Sequence, residues 1–205
     1  MSENVPASEQ SQRQTMTSPM LKAMANPLRR RIVATLTAVE SARATDLAQR
    51  LGVPANSLSF HLRVLAEAGI ILEAPELARD KRDRVWKVLP GGLSVGSPKE
   101  PSAIEDALAL KAYLGQEADD QIRQLKAVIA WGSDYATGSE PDARGLLNIT
   151  SLMLNATETE ALEDAVLEVL RQAKRASVAA AADGSERKLW NFSMVMARED
   201  LPGLQ

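Results

Sequence analysis

Residues 44–72 read ATDLAQRLGVPANSLSFHLRVLAEAGIIL, and this stretch decides the fold of the N-terminal half. A short amphipathic pattern ends at Gly52, since glycine readily takes the left-handed backbone conformation that terminates a helix. Pro54 suits the first position of a second helix, in which leucines recur at helical spacing, at Leu58, Leu62 and Leu65. Two short helices joined by so tight a turn predict a helix-turn-helix, whose second helix enters the major groove in DNA-binding proteins.

The second helix, predicted over residues 54–68, leaves polar side chains on its outer face: Asn56, Ser57, Ser59 and Arg63. Asparagine can pair with adenine, and arginine with guanine or phosphate, so these residues are the candidate DNA contacts. Phe60 suits either a thymine methyl group or the core, and His61 either half-buried packing or a phosphate contact. The alternative for the whole segment is a core helix of another three-helix bundle.

Two β-prone runs follow, Ile70–Leu72 and Val85–Leu89, separated by the charged segment EAPELARDKRDR. Two strands with a basic tip directly after a helix-turn-helix predict a wing that lies along the phosphate backbone or reaches the minor groove. Its candidate DNA contacts are Arg79, Lys81, Arg82 and Arg84. The alternative is a solvated turn, in which the interleaved aspartates neutralise these cations.

Charge is distributed unevenly along the chain. Residues 19–90 contain twelve Lys and Arg against seven Asp and Glu, a net charge of +5, whereas residues 91–205 contain eleven against eighteen, a net charge of −7. With −1 from the first 18 residues, these values give the total of −3. A basic N-terminal half suits a polyanionic partner, so the segment charges indicate DNA where the whole-chain charge does not.

The other N-terminal patterns set the domain boundaries. Residues 1–18 are polar and aperiodic, which predicts a disordered tail, and the domain spans residues 19–90. A first helix is expected over Met20–Ala25, and a second begins at Asn26-Pro27, a typical N-cap and first-turn pair. The second helix carries two arginines for which phosphate contacts and internal salt bridges are both open, Arg29 and Arg31. Residues 91–102 are rich in Gly, Pro and Ser and predict a linker.

Residues 103–205 predict an α-β-α-β domain for dimerisation or effector binding. Apolar residues recur at helical spacing from Ile104 to Ile129, which predicts a helix of about 30 residues that needs a partner helix. GLLNITSLML (145–154) and KLWNFSMVMA (188–197) are expected to be strands, and Thr157–Glu160 to be the capping box of the helix between them. The fold class is therefore mainly α with small β: a winged helix-turn-helix followed by this domain.

Five of the seven aromatic residues follow the linker, where two readings are open. Together with nearby methionines they suit a pocket for a small apolar effector, because ligand sites are concave and mostly apolar. The residues of this candidate pocket are Trp131, Tyr135, Met153, Trp190, Phe192 and Met194. The alternative, favoured by the composition, is the ordinary core of a small domain.

The motif residues also resemble a known family. MANPLRRRIVATL (24–36) and LAQRLGVPANSLSFHLRVLAEAGI (47–70) are similar to the ArsR-type winged-helix transcriptional regulators. The resemblance covers about residues 20–90 and implies a homodimeric repressor that releases DNA on a signal. The cysteine pair of metal-sensing members is missing, since Asp46-Leu47-Ala48 stands there, and Phe60 replaces a common histidine. The signal is therefore expected to be something other than a metal.

Composition excludes several classes of function. The chain has no cysteine and one histidine, which argues against disulfides, thiolate metal sites and a zinc or copper site, and no cofactor is expected. Nucleophile–base pairs and phosphate-binding glycine loops are not evident, so an enzyme is not expected. No apolar run can span a bilayer and no signal segment is evident, which predicts a cytoplasmic protein. The leading hypothesis is a homodimeric repressor on pseudo-palindromic double-stranded DNA, and the alternative is a winged-helix protein-interaction module.

Overall fold

The computed structural model describes residues 14–80, 84–96, 101 and 107–203. Four short helices form the N-terminal half, and two long helices follow the segment predicted as a linker. Their bounds are α1 Ser18–Met24, α2 Pro27–Val39, α3 Ala44–Leu51, α4 Ala55–Glu67, α5 Ala107–Ala136 and α6 Ala156–Ala179. The chain is therefore mostly helical, as the sequence predicted.

The boundaries of α1 and α2 follow from their capping residues. The Oδ1 atom of Asn26 accepts a hydrogen bond from the backbone N–H of Arg29 at 3.1 Å, and Pro27 occupies the first turn of α2, as predicted. Helix α1 begins earlier than predicted because Thr17 caps it, accepting from the N–H of Met20. The last residues of the predicted tail are thus part of the fold, whereas residues 1–13 lie outside the described part.

The helix-turn-helix prediction is confirmed. Helix α3 ends at Gly52, whose φ of 66° places it in the left-handed region. Pro54, expected in the first turn of α4, is instead its N-cap residue, with an extended ψ of 139°. The correction is small, because a proline in either position needs no backbone hydrogen-bond donor. Gly69, also at positive φ, follows the end of α4 as predicted.

Three antiparallel strands, β2 (Ser41–Arg43), β3 (Ile71–Glu73) and β4 (Val85–Val88), support the wing in the order β2-β4-β3. The predicted pair is present as β3 and β4, while β2, which precedes α3, was not predicted. The wing tip, residues 81–83, lies outside the described part. A second, parallel pair joins β1 (Gln14–Thr15) to β5 (Leu93–Ser94), so the predicted tail and linker each contribute a short strand.

The core lies almost entirely in the N-terminal half. Its fully buried side chains come from α1, α2, α3, α4 and the start of the wing: Leu21, Ile32, Leu36, Leu47, Leu58, Leu62, Leu65, Ile70 and Ile71. Helix α5 adds only its first turns, where Ala109 is buried and the helix packs against α1. The predicted length of about 30 residues for α5 is confirmed, since it has 30 residues.

The C-terminal half differs from its prediction in two ways. Residues 145–154 and 188–197, predicted as strands, have no strand pairing in the described chain, so only the two helices of the α-β-α-β pattern are present. A strand needs a neighbour for its backbone groups, and among the described residues none lies beside these two segments. The capping box of α6 is formed by Asn155 and Glu158 rather than by Thr157–Glu160, because Asn155 has the extended backbone that an N-cap requires.

Candidate nucleic-acid interface

Helix α4 separates an apolar face from a polar one. Its leucines are fully buried against the other helices, which fixes the orientation of the opposite face toward solvent. That outer face carries the exposed residues Asn56, Ser57, Ser59, Phe60 and Arg63. Phe60 is 57% exposed, so its side chain belongs to the surface rather than to the core. The helix thus presents at one surface the polar residues that its sequence pattern had predicted to face outward.

A cleft of about 140 Å³ lies between α4 and the wing. Ser59 and Arg63 line it from the helix, Arg84 from the residue before β4, and Trp86 from the central strand of the sheet. The tertiary fold therefore brings together two predicted DNA contacts from the helix and one from the wing. Glu67 also lines the cleft. An acidic group there moderates the positive field of the two arginines, because opposite charges partly cancel at short range.

The described wing arginines are exposed. Arg84 makes one long ion pair with Glu73, 3.8 Å from Nε to Oε1, and both side chains are largely in solvent, so the pair constrains Arg84 weakly. Arg79 lies near Asp46 of α3, whose pKa is lowered mainly by a hydrogen bond from Arg43 and further by the charge of Arg79. The other two predicted wing contacts, Lys81 and Arg82, lie outside the described residues.

Arg29 and Arg31 make internal contacts with helix ends. The Arg29 guanidinium donates to the carbonyl oxygens of Ala23 and, at 3.2 Å, Lys22, which close α1. The Arg31 Nη2 atom donates to the carbonyl of Leu51 at the end of α3, at 3.3 Å. Of the two roles that the sequence left open, these contacts favour the internal one, because guanidinium groups stabilise unsatisfied helix carbonyls.

His61 is half-buried beside Phe60, whose ring meets its imidazole edge-on at a centroid distance of 5.5 Å. Burial lowers the pKa of His61, and the nearby charge of Arg29 lowers it further. Its Nδ1 atom is buried and has no hydrogen-bond partner among the described residues. A histidine held neutral in this way favours packing over a charged phosphate contact.

Arg30 and Trp86 are structurally important residues that the sequence did not single out. Arg30 is 7% exposed and contacts Asp120 of α5, which links the winged helix to the C-terminal half. Arg29 and Arg31 differ from Arg30 only in their position around α2, so no sequence signal distinguishes Arg30 from them. Trp86 pairs with Ala42 of β2 and Glu73 of β3 and lines the cleft. The unpredicted strand β2 explains why its central position was missed.

The six candidate effector-pocket residues are not gathered around one cavity. Phe192 lines a shallow apolar groove with α6, whereas Trp131 stacks on Tyr135 at 4.8 Å and donates its Nε1–H to the carbonyl of Asp142 at 3.1 Å. Met153 is 99% exposed. Trp190 and Met194 are also exposed, so neither the predicted pocket nor an ordinary core is formed by these residues within one described chain.

Comparison with known proteins agrees with the N-terminal geometry. Residues 24–74 match the family model of a helix-turn-helix domain. The N-terminal half is therefore a helix-turn-helix domain of the general kind found in DNA-binding transcriptional regulators. The comparison with curated proteins gives no match.

Among the residues that the structure describes, no group of three or more His, Asp or Glu is placed to hold a metal ion. No helix in the described ranges is both long and apolar enough to cross a bilayer.

Proposed function

We propose that the protein is a sequence-specific regulator of transcription that binds double-stranded DNA through α4 and the wing. One observation carries this proposal: the buried leucines of α4 leave Asn56 and Ser57 exposed to solvent, and they leave Ser59 and Arg63 in the cleft that Arg84 of the wing also lines. A helix of this width fits the major groove, and arginines beside it suit the flanking phosphates.

The proposed regulator acts as a homodimer. Two copies of α4 then enter successive major grooves, so the binding site is a pseudo-palindrome with half-sites about 10 bp apart. The resemblance to ArsR-type regulators supports repression that ends when a non-metal signal, such as a small apolar effector, is bound. The proposed protein acts in the cytoplasm, needs no cofactor and is not an enzyme.

Selection of bound duplexes from a random pool tests this function and at the same time identifies the DNA sequence that the protein binds. We expect a two-fold symmetric consensus, and an affinity that falls steeply with salt because bound arginines release counterions. Absence of any enriched duplex, or an affinity insensitive to salt, would contradict the proposal.

Two substitutions separate base reading from phosphate contact. Asn56→Ala should weaken binding by about 1–3 kcal/mol and relax the preference at one base pair, whereas Arg63→Ala should weaken all sequences alike and reduce the salt slope by about 1. Arg198→Ala is the matched control, because this arginine is exposed in the C-terminal half far along the chain from α4. Equal losses in all three variants would refute the assignment.

A further inference from the structure

Helix α6 stands apart from the rest of the described chain. It has 24 residues, none of them buried, and it packs closely against no other helix of the described part. An ion pair links it to the winged helix, 3.7 Å between the Lys174 Nζ and Glu40 Oε1 atoms. Amphipathic helices in proteins are stabilised chiefly by packing of their apolar face. Within the described residues the apolar face of α6 is only partly covered, since Leu162 and Val166 are half-buried and Val169 is exposed.

The C-terminal half as a whole exposes many large apolar side chains. Of 23 large hydrophobic residues exposed in the described chain, 20 lie between Leu108 and Leu201, including Leu146, Ile149, Trp190 and Val195. At roughly 100 Å² for each half-exposed large side chain, they amount to on the order of 2,000 Å². Monomers rarely expose contiguous apolar patches beyond a few hundred Å², while obligate dimers bury areas of this order.

The apolar face of α6 has the spacing of a helix–helix contact. Leu162, Val166, Val169 and Ala173 recur at intervals of four, three and four residues. Beside them an apolar groove of about 230 Å³ is lined by Ala165, Val166, Val169, Leu170 and Phe192. The spacing is symmetric about a point between Leu167 and Glu168, so reversing the direction of the helix reproduces it. This self-complementarity is what a two-fold contact requires.

Charge on α6 is also self-complementary when the helix is reversed. Acidic residues occupy its first two-thirds, Glu158, Glu160, Glu163, Asp164 and Glu168, and basic residues follow, Arg171, Lys174 and Arg175. The helix dipole does not account for this pattern, since its influence is limited to the end turns and the last turn of α6 contains no basic residue. Glu168 pairs with Arg171 and Arg175 within α6, on the side away from the apolar stripe. Glu163 and Lys174 border the stripe on one side, and an antiparallel second α6 would set each of them near the other residue of the second copy.

We propose that a second copy of this chain docks on the C-terminal half, with α6 antiparallel to α6 of the second copy. Leu162 then lies opposite Ala173 of the second copy and Val166 opposite Val169. Glu163 and Lys174 are eleven residues apart, about three turns, so both lie on the same side of α6. In the antiparallel pair, Lys174 of the second copy is displaced from Glu163 by about 3 Å along the helix axis. This contact provides the dimer that the proposed function needs, but it does not depend on DNA.

Sedimentation equilibrium of the full chain without DNA tests the contact. We expect a mass of about 44 kDa, twice the 22.1 kDa of one chain. Val169→Asp places a carboxylate in the apolar layer and should give a monomer whose circular dichroism loses at most the helix content of α6. Arg171→Glu is the control, since two residues turn the helix by about 200° and place this change on the opposite face. A monomeric wild type, or a Val169→Asp variant that remains a dimer, overturns the proposal.

Exchanging the charges of Glu163 and Lys174 tests the direction and register of the two helices without changing the apolar stripe. Glu163→Lys sets like charges together and should raise the dimer dissociation constant roughly tenfold or more. Adding Lys174→Glu should restore the constant to nearly the wild-type value, although this second change also removes the ion pair with Glu40. A double variant that dimerises no better than Glu163→Lys refutes the antiparallel register.

The remaining outcomes separate this proposal from the proposed function. A chain that dimerises as expected but binds no duplex contradicts the DNA-binding function alone. A monomer that binds single half-sites contradicts the dimer contact alone. Removal of residues 1–13 should leave the mass at twice that of the shortened chain; a loss of the dimer on this removal would contradict the α6 contact.

Discussion

Replacing Asp120 by Asn tests whether a buried arginine joins the winged helix to α5. Arg30 of α2 is 7% exposed, and its guanidinium donates through Nε to Asp120 Oδ2 at 2.7 Å and through Nη1 to the carbonyl of Met24 at 2.9 Å. Glu117, one turn before Asp120, lies 3.4 Å from the same Nε atom. Asn keeps the shape of the side chain and removes its charge.

The magnitude follows from burial. Removing one partner of a fully buried ion pair costs about 3–5 kcal/mol, because the remaining charge stays out of water without compensation. Here the Asp120 side chain is 33% exposed and Glu117 remains close to Arg30, so we expect a smaller loss of about 1.5–3 kcal/mol in the free energy of unfolding. The loss should change little with added salt, since Arg30 itself is shielded from solvent.

Urea unfolding followed by far-ultraviolet circular dichroism measures this loss. Asp142→Asn is the matched control, because it makes the same change in an exposed pair with Arg144, 3.2 Å long with side chains 70% and 62% exposed. We expect the control to lose less than about 0.5 kcal/mol. If both variants lose the same small amount, the Arg30 contact does not hold the two halves together and the reasoning is wrong.

Three further predictions concern other parts of the chain. Gly52→Ala should lower the free energy of unfolding in urea by about 1 kcal/mol through backbone strain alone. Gly52 has a φ of 66°, and no atom lies within 4 Å of the position of an added Cβ. A neutral effect would contradict this prediction. Burial, followed by the charge of Glu117, raises the pKa of Tyr113 to about 12. The unfolded chain then releases this proton near pH 10 while the folded chain keeps it, so stability should fall between pH 10 and 12, and Tyr113→Phe should remove that part of the slope. Asn155→Ala should remove the capping box and cost α6 about 1 kcal/mol, seen as lost helicity; Ser177→Ala, outside the cap, should not.

Local signals were enough to predict the helix-turn-helix. Gly52, Asn26 and the leucines of α4 act within one or two turns of the chain, so their effect on the backbone can be read from neighbouring residues. The family match over residues 24–74 agrees with this prediction. Strand β2 was missed because SAR (41–43) is only three residues long and becomes a strand through its partner β4.

The C-terminal half was predicted less well for the same physical reason. Alternating apolar residues in 188–197 indicate a strand only if another strand is available, and the described chain offers no such neighbour. Asn155 rather than Thr157 became the N-cap, since both residue types suit the role and only the path of the preceding chain decides between them.

The sequence by itself determined the helices, the left-handed turn at Gly52 and the outward face of α4, because these depend on side-chain spacing and on backbone preferences of single residues. Only the tertiary structure decided which arginine of Arg29, Arg30 and Arg31 is buried against α5 and which two hold helix ends. It also decided that Arg63 and Arg84 share one cleft. Those outcomes depend on contacts between residues far apart in the chain, and a local sequence pattern contains no information about such contacts.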